Sequence, residues 1–176
     1  MIDFQSERGE VRIREAWTQA EIRAGVVEPL DLFAHRFPED LDARIVIKPN
    51  LNNDLVGLTG NSVDLRVLGA VLHWLLERGY KDLTVADGSN VGVERRGIDT
   101  FKRLRVDRLA ERYGAKIQDL NHDEGHQVVL CAGAHPQIAK TVLESDFLLS
   151  IPKIKTHAEA GLSCAMKNWV GIARGQ

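Results

Sequence analysis

A chain of 176 residues with 44% hydrophobic and 27% charged residues is long enough to bury one substantial core and too short for two comfortable ones. Its formal net charge of −2 gives no general attraction to nucleic acid or to an anionic membrane, so any basic site must be local. The only cysteines, Cys131 and Cys164, form no Cys-x-x-Cys pair, which excludes a four-cysteine iron–sulfur cluster or zinc site built from this chain alone and argues against a disulfide framework.

The first eight residues carry no basic-then-apolar signal and no apolar run approaches the length of a membrane span, so a reducing cytoplasm is the expected setting. Residues 1–43 read as an N-terminal helical segment. Ile13, Trp17 and Ala24 recur at helical spacing over 13–24, and a second short piece over 29–37 ends at Pro38. Residues 44–176 read as an α/β domain, with no linker or repeat within them.

The strand Arg44-Ile-Val-Ile47 runs into Lys48-Pro49-Asn50, and a loop over 51–60 with two glycines is longer than a median connection. Asn61 or Ser62 is the expected cap of a helix with Leu65, Leu68, Leu72 and Leu75 at i, i+3, i+4 spacing, stopped by Gly79. A strand over 83–86 follows, so strand, helix and strand imply a right-handed parallel crossover. It ends in Asp87-Gly88-Ser89-Asn90. Asp99 or Thr100 then caps a helix carrying Phe101, Leu104, Leu109 and Tyr113, and 116–120 is a short strand. An edge strand is expected over 127–130, a helix over 138–144, a strand over 146–151 and a final helix over 163–170.

Three apolar strands that end in charged or amide side chains describe a sheet whose carboxyl edge carries a site. Proline after Lys48 fixes the backbone as the strand ends, holding a lysine and an asparagine around a ligand that needs a cation and an amide. Asp87 stands at a strand tip where Gly88 permits close approach, yet neither the dinucleotide fingerprint nor a phosphate loop occurs. Lys153, Lys155 and His157 alternate, so in an extended backbone they face one way and offer two ammonium groups and an imidazole to an anion. Lys167 follows one turn into the last helix. His122, His126 and His135 match no metal-ligand spacing and His73 sits inside a helix, so all four are expected to be structural or solvated.

Four segments, 47–50, 85–89, 145–157 and 161–171, in this order and spacing, resemble the uncharacterised bacterial and archaeal family catalogued as domain of unknown function 362, over about residues 44 to 172. The resemblance implies an α/β fold and a site position more than a reaction. Many members carry ferredoxin-like iron–sulfur segments, and the two cysteines here do not supply one. The family's domain continues beyond the Lys-Asn-x-x-Gly motif, so this sequence is expected to be a fragment of a longer one.

The expected architecture is therefore a three-layer, mainly parallel sheet flanked by helices, incomplete at its carboxyl terminus. One functional reading is an enzyme acting on a small carboxylate or phosphate, with His157, Asp87 and Lys155 as catalytic candidates. Lys48, Asn50, Lys153, Lys167, Asn168 and Ser89 would bind the substrate. If a divalent metal takes part, Asp87, His157 and Glu159 are its candidate ligands. The other readings are a non-catalytic anion- or cofactor-binding module and an accessory to an iron–sulfur partner. All place a small anionic molecule, rather than nucleic acid or a membrane, as the partner, and leave a homo-oligomer open.

Overall fold

The computed structural model describes residues 4–6, 9–129 and 133–174. At its centre, β3 (Ile45–Pro49) lies between β4 (Leu83–Asp87) and β8 (Phe147–Ile151), with β5 (Lys116–Asp119) outside β4. All three pairings are parallel. The register sets Ile47 against both Val85 and Leu149, Lys48 against Ser150, and Asp87 against Asp119. A strand covered on both faces needs an unbroken apolar run, and Ile45, Val46 and Ile47 supply it with at most 3% of their surface exposed.

The order β5-β4-β3-β8 has a functional consequence. From β3 the chain moves outward through β4 to β5, then returns to the other side of β3 with β8, so the direction of winding reverses between β3 and β8. In open parallel sheets the crevice at such a reversal, beyond the carboxyl ends of the strands, is where ligands bind.

The first face of the sheet packs on helices. Ile45, Ile47, Leu83 and Val85 meet Leu68, Leu72 and Leu75 of α2 (Leu65–Glu77) and Val106 and Ala110 of α5 (Val106–Arg112). Each buried leucine contributes about 1.5–3 kcal/mol. The cap of α2 is Asp64, which accepts from the Arg66 N–H, while the expected cap Ser62 donates its hydroxyl to the Leu51 carbonyl. Outside this layer, α1 (Gln19–Leu32) begins six residues later than the apolar stripe predicts. Thr18 and Glu21 form a capping box there, and it fixes the start more strongly than a thin stripe. Pro29 falls inside α1 instead of opening a separate piece.

The second face is covered by Ile138, Ala139 and Val142, which pack on Val46, Ala86 and Leu120. The residues belong to a hairpin of β6 (Gly125–Gln127) and β7 (Gln137–Ala139), followed by the single turn α6 (Lys140–Leu143). The helix expected over 138–144 is thus strand and then helix, and the edge strand expected over 127–130 lies earlier, with Leu130 outside the described residues. The helix expected after Asp99 is broken as well. It divides into α4 (Thr100–Arg103) and α5 because Arg105 adopts a positive φ of 62°.

Around the carboxyl edge lie the single turn α3 (Val91–Glu94) and a hairpin of β9 (Lys155–His157) and β10 (Gly161–Ser163), then the short α7 (Ala165–Asn168) and a 3-10 turn over Trp169–Ile172. The final helix expected over 163–170 is shortened by this hairpin. At the other end of the chain, β1 (Phe4–Ser6) and β2 (Gly9–Val11) form a separate antiparallel pair. Among the described residues no helix is long and apolar enough to cross a membrane.

Candidate functional site

The carboxyl edge begins with a buried ion pair. Lys48 Nζ lies 2.5 Å from Asp87 Oδ1, with the two side chains 1% and 3% exposed. The second carboxylate oxygen of Asp87 accepts from the Leu51 N–H at 2.7 Å. Burial pushes the Asp87 carboxyl above its ordinary value, opposed by the Lys48 ammonium and by the N–H groups of Leu51 and Gly88.

Asn168 ties this pair to the neighbouring strand. Its Oδ1 accepts from Lys48 Nζ at 3.3 Å and Asn50 Nδ2 at 3.2 Å, and its Nδ2 donates to the Lys48 carbonyl and to Ser150 Oγ. The side chain of Asn168, 3% exposed as a residue, therefore clamps β3 to β8 where the winding reverses. Gly171 closes the top. A Cβ at this position would stand 2.7 Å from both Asp87 Oδ1 and Lys48 Nζ, so only glycine fits over the pair. Its carbonyl accepts from the Gly88 N–H at 3.1 Å, and a Cβ on Gly88 would lie 2.9 Å from that same oxygen. The sequence Lys-Asn-x-x-Gly thus places an amide and a bare backbone on one buried charge pair.

A small cleft of about 70 Å³ opens beside this network, lined by Lys48, Asn50, Asp87, His157, Lys167 and Asn168, and also by Asn52, Asn90, Val170 and Gly171. His157 Nδ1 accepts from the N–H groups of Glu159 at 3.2 Å and Ala160 at 3.1 Å. These bonds assign the neutral tautomer that carries its proton on Nε2, a hydrogen-bond donor. Lys155 stands behind Asn50, with Nζ donating to Asn50 Oδ1 at 2.9 Å and to the Asn61 carbonyl at 2.5 Å. Partial burial holds its ammonium below the usual lysine value. Lys167 and Lys153 push the same way, and Asp87 opposes them.

The lysines of the chain divide sharply. Lys48, Lys81, Lys102, Lys116 and Lys140 each pair with a carboxylate. Among the described residues, Lys153, Lys155 and Lys167 do not.

Besides Lys155, which sits behind Asn50, three of the residues singled out from the sequence stand apart from the cleft. Ser89 turns its hydroxyl to Thr100 and its carbonyl to Asn121, Lys153 precedes β9 without lining the cleft, and Glu159 is exposed in the turn that His157 caps. Among the described residues no three His, Cys, Asp or Glu side chains are gathered to hold a metal ion, so Asp87, His157 and Glu159 do not form the ligand set the sequence suggests. Asn52 and Gly171 line the cleft without having been singled out as site residues. Asn52 has a positive φ of 48° and accepts the Asn90 N–H on its carbonyl. The asparagine-rich composition of the 50–53 loop was its only signal.

The profile of the family described as Domain of unknown function (DUF362) matches residues 45–176, and the chain belongs to that family. No curated protein and no solved structure matches it.

Proposed function

We propose that the carboxyl edge binds a small anion, a carboxylate or a phosphate group, and that the protein is an enzyme acting on the molecule that carries it. The observation behind this reading is the trio Lys153, Lys155 and Lys167, which gathers at one edge with no carboxylate at ion-pair distance among the described residues, Asp64 and Asp87 acting on Lys153 and Lys155 only from farther off, while every other lysine has a direct partner. Uncompensated ammonium groups repel one another, and an anion relieves that repulsion. Lys167 and His157 both line the cleft and offer it N–H donors. Lys155 supports them through Asn50.

Two groups with opposite displacements favour chemistry over simple holding. Asp87 is raised by burial and Lys155 is lowered, and ionisable groups displaced in this way concentrate at functional sites. In this arrangement Lys155 acts through Asn50, which lines the cleft, and His157 donates a hydrogen bond to developing negative charge. A cleft of about 70 Å³, well below the roughly 300 Å³ of a drug-sized pocket, takes the anionic group and leaves the rest of the substrate outside. That small size also favours a second reading, a non-catalytic anion-binding module.

Isothermal titration at low salt with inorganic phosphate, acetate and oxalate tests the proposal. Binding by the wild-type chain, weakened about tenfold to a hundredfold in Lys167→Ala through loss of one charge-assisted hydrogen bond, is the expected result. Absence of binding, or equal binding by the variant, overturns it.

A further inference from the structure

A second and larger cavity lies on the other side of the 87–90 loop, about 670 Å³ in volume, between the carboxyl ends of β4 and β5 and the α4 and α5 turns. Its character is opposite to that of the lysine cleft. Four carboxylates line it, Glu94, Asp99, Asp107 and Asp119, against Lys102 as the one lysine, which is already engaged by Asp99 at 3.5 Å. Ile98, Phe101 and Ile117 supply an apolar wall.

Two further observations lift this cavity above an acidic cluster. Asp107 Oδ1 and Asn121 Oδ1 are buried side-chain oxygens without a hydrogen-bond partner, and both residues line this one cavity. Asn121 is only 7% exposed, and its Nδ2 is already committed to the Ser89 carbonyl at 2.9 Å, which fixes the amide with its oxygen unpaired. A buried acceptor left unpaired is destabilising, so both residues would gain from a donor brought to this cavity. His122 stands between Glu94 and Asp119, with Nε2 3.1 Å from Glu94 Oε1 and Nδ1 3.4 Å from Asp119 Oδ2. One imidazole cannot neutralise both carboxylates, so the wall stays anionic with His122 in either protonation state.

We propose that this cavity is a second binding site, for an organic amine or another cationic, N–H-rich molecule with a flat apolar body. The body packs on Phe101, Ile98 and Ile117, and the ammonium donates toward Asp107 and Glu94. The proposal rests on the acidic cavity alone and is independent of anion binding at the lysine cleft.

Tryptamine is the probe, titrated calorimetrically into the full chain at pH 8 and low salt beside indole-3-acetate, which has the same ring and the opposite charge. Tryptamine binds and indole-3-acetate does not. The N,N,N-trimethyl form of tryptamine, which keeps the charge and lacks the ammonium N–H donors, binds about tenfold more weakly, as loss of a charge-assisted hydrogen bond requires. Glu94→Gln and Asp107→Asn each weaken tryptamine by about tenfold on the same grounds. The comparison among the three ligands needs no variant and so survives any misfolding of the mutants. Failure of tryptamine to bind, equal binding of the acid, or equal binding of the trimethylated amine overturns the site.

Discussion

Lys48 with Asp87, and Lys153 with Lys155 and Lys167, occupy one edge of one sheet under opposite conditions. The first lysine is sealed, neutralised by a carboxylate, held by the Asn168 amide and roofed by Gly171. The other three have no carboxylate at ion-pair distance among the described residues, with Asp87 and Asp64 acting on Lys155 and Lys153 only from farther away. Water explains the division. A charge removed from water must bring its own partner, because the desolvation penalty otherwise exceeds any gain from packing. A charge left half in water can wait for a ligand. Residues that look equivalent as strand-end polar motifs therefore serve two ends, a rigid base and a presenting surface, and the base fixes where the surface stands.

The base should break most severely. Asp87→Ala leaves the Lys48 ammonium buried without a carboxylate and the Leu51 N–H without an acceptor, a loss of about 3–5 kcal/mol in chemical denaturation. The double change Lys48→Met with Asp87→Leu recovers most of that loss, since an apolar pair of similar volume avoids the uncompensated charge. Gly171→Ala comes next. Its new methyl must displace both members of the pair, and overpacking of this kind costs about 1–3 kcal/mol. A Gly171→Ala chain as stable as the wild type would show that the roof is loose and that the network is not sealed.

At the amino edge of the sheet, Arg44 before β3 and Asp146 before β8 form an exposed pair and provide the mildest test. The Arg44 guanidinium beside it lowers the Asp146 carboxyl to about 2. A carboxyl depressed in the folded state adds stability above its ordinary value of 3.8, and that stability fades as pH falls from there toward 2. Asp146→Asn should flatten this acid limb in a pH series of melting temperatures and lower the neutral-pH plateau by the same amount, a modest one because the pair is solvated.

The sequence makes the sheet readable because its central strands are buried on both faces. Ile45 to Ile47 and Leu83 to Ala86 are apolar runs with polar ends, the half-buried edge strand Phe147 to Ile151 follows the same pattern, and Leu68, Leu72 and Leu75 mark the covering helix. The misplaced elements depend on single residues. The capping box of Thr18 and Glu21 outweighs a weak stripe, and the positive φ of Arg105 divides a helix that the apolar spacing joins. Periodicity does not register either feature. The edge itself is legible too, since Lys48, Asp87 and Lys153 all follow parallel strands. Which lysine is sealed is not, because the answer depends on Asn168 and Gly171 arriving from more than 80 residues away in sequence. The acidic cavity is hidden for the same reason. Glu94, Asp107 and Asp119 come from three elements, and His122 shows no significant spacing until they meet.

The most direct test of the presenting surface follows the Lys155 side chain itself. Carbon-13 NMR of the lysine Cε signals, with Lys155 assigned through Lys155→Arg, reports its titration with and without inorganic phosphate. In the free protein Lys155 should titrate below the ordinary lysine value of 10.5, and phosphate bound among the three lysines should move it upward, because a nearby anion favours the charged ammonium. A Lys155 that titrates at the ordinary value and ignores phosphate would show that the three lysines are solvated independently and that no anion site exists at this edge.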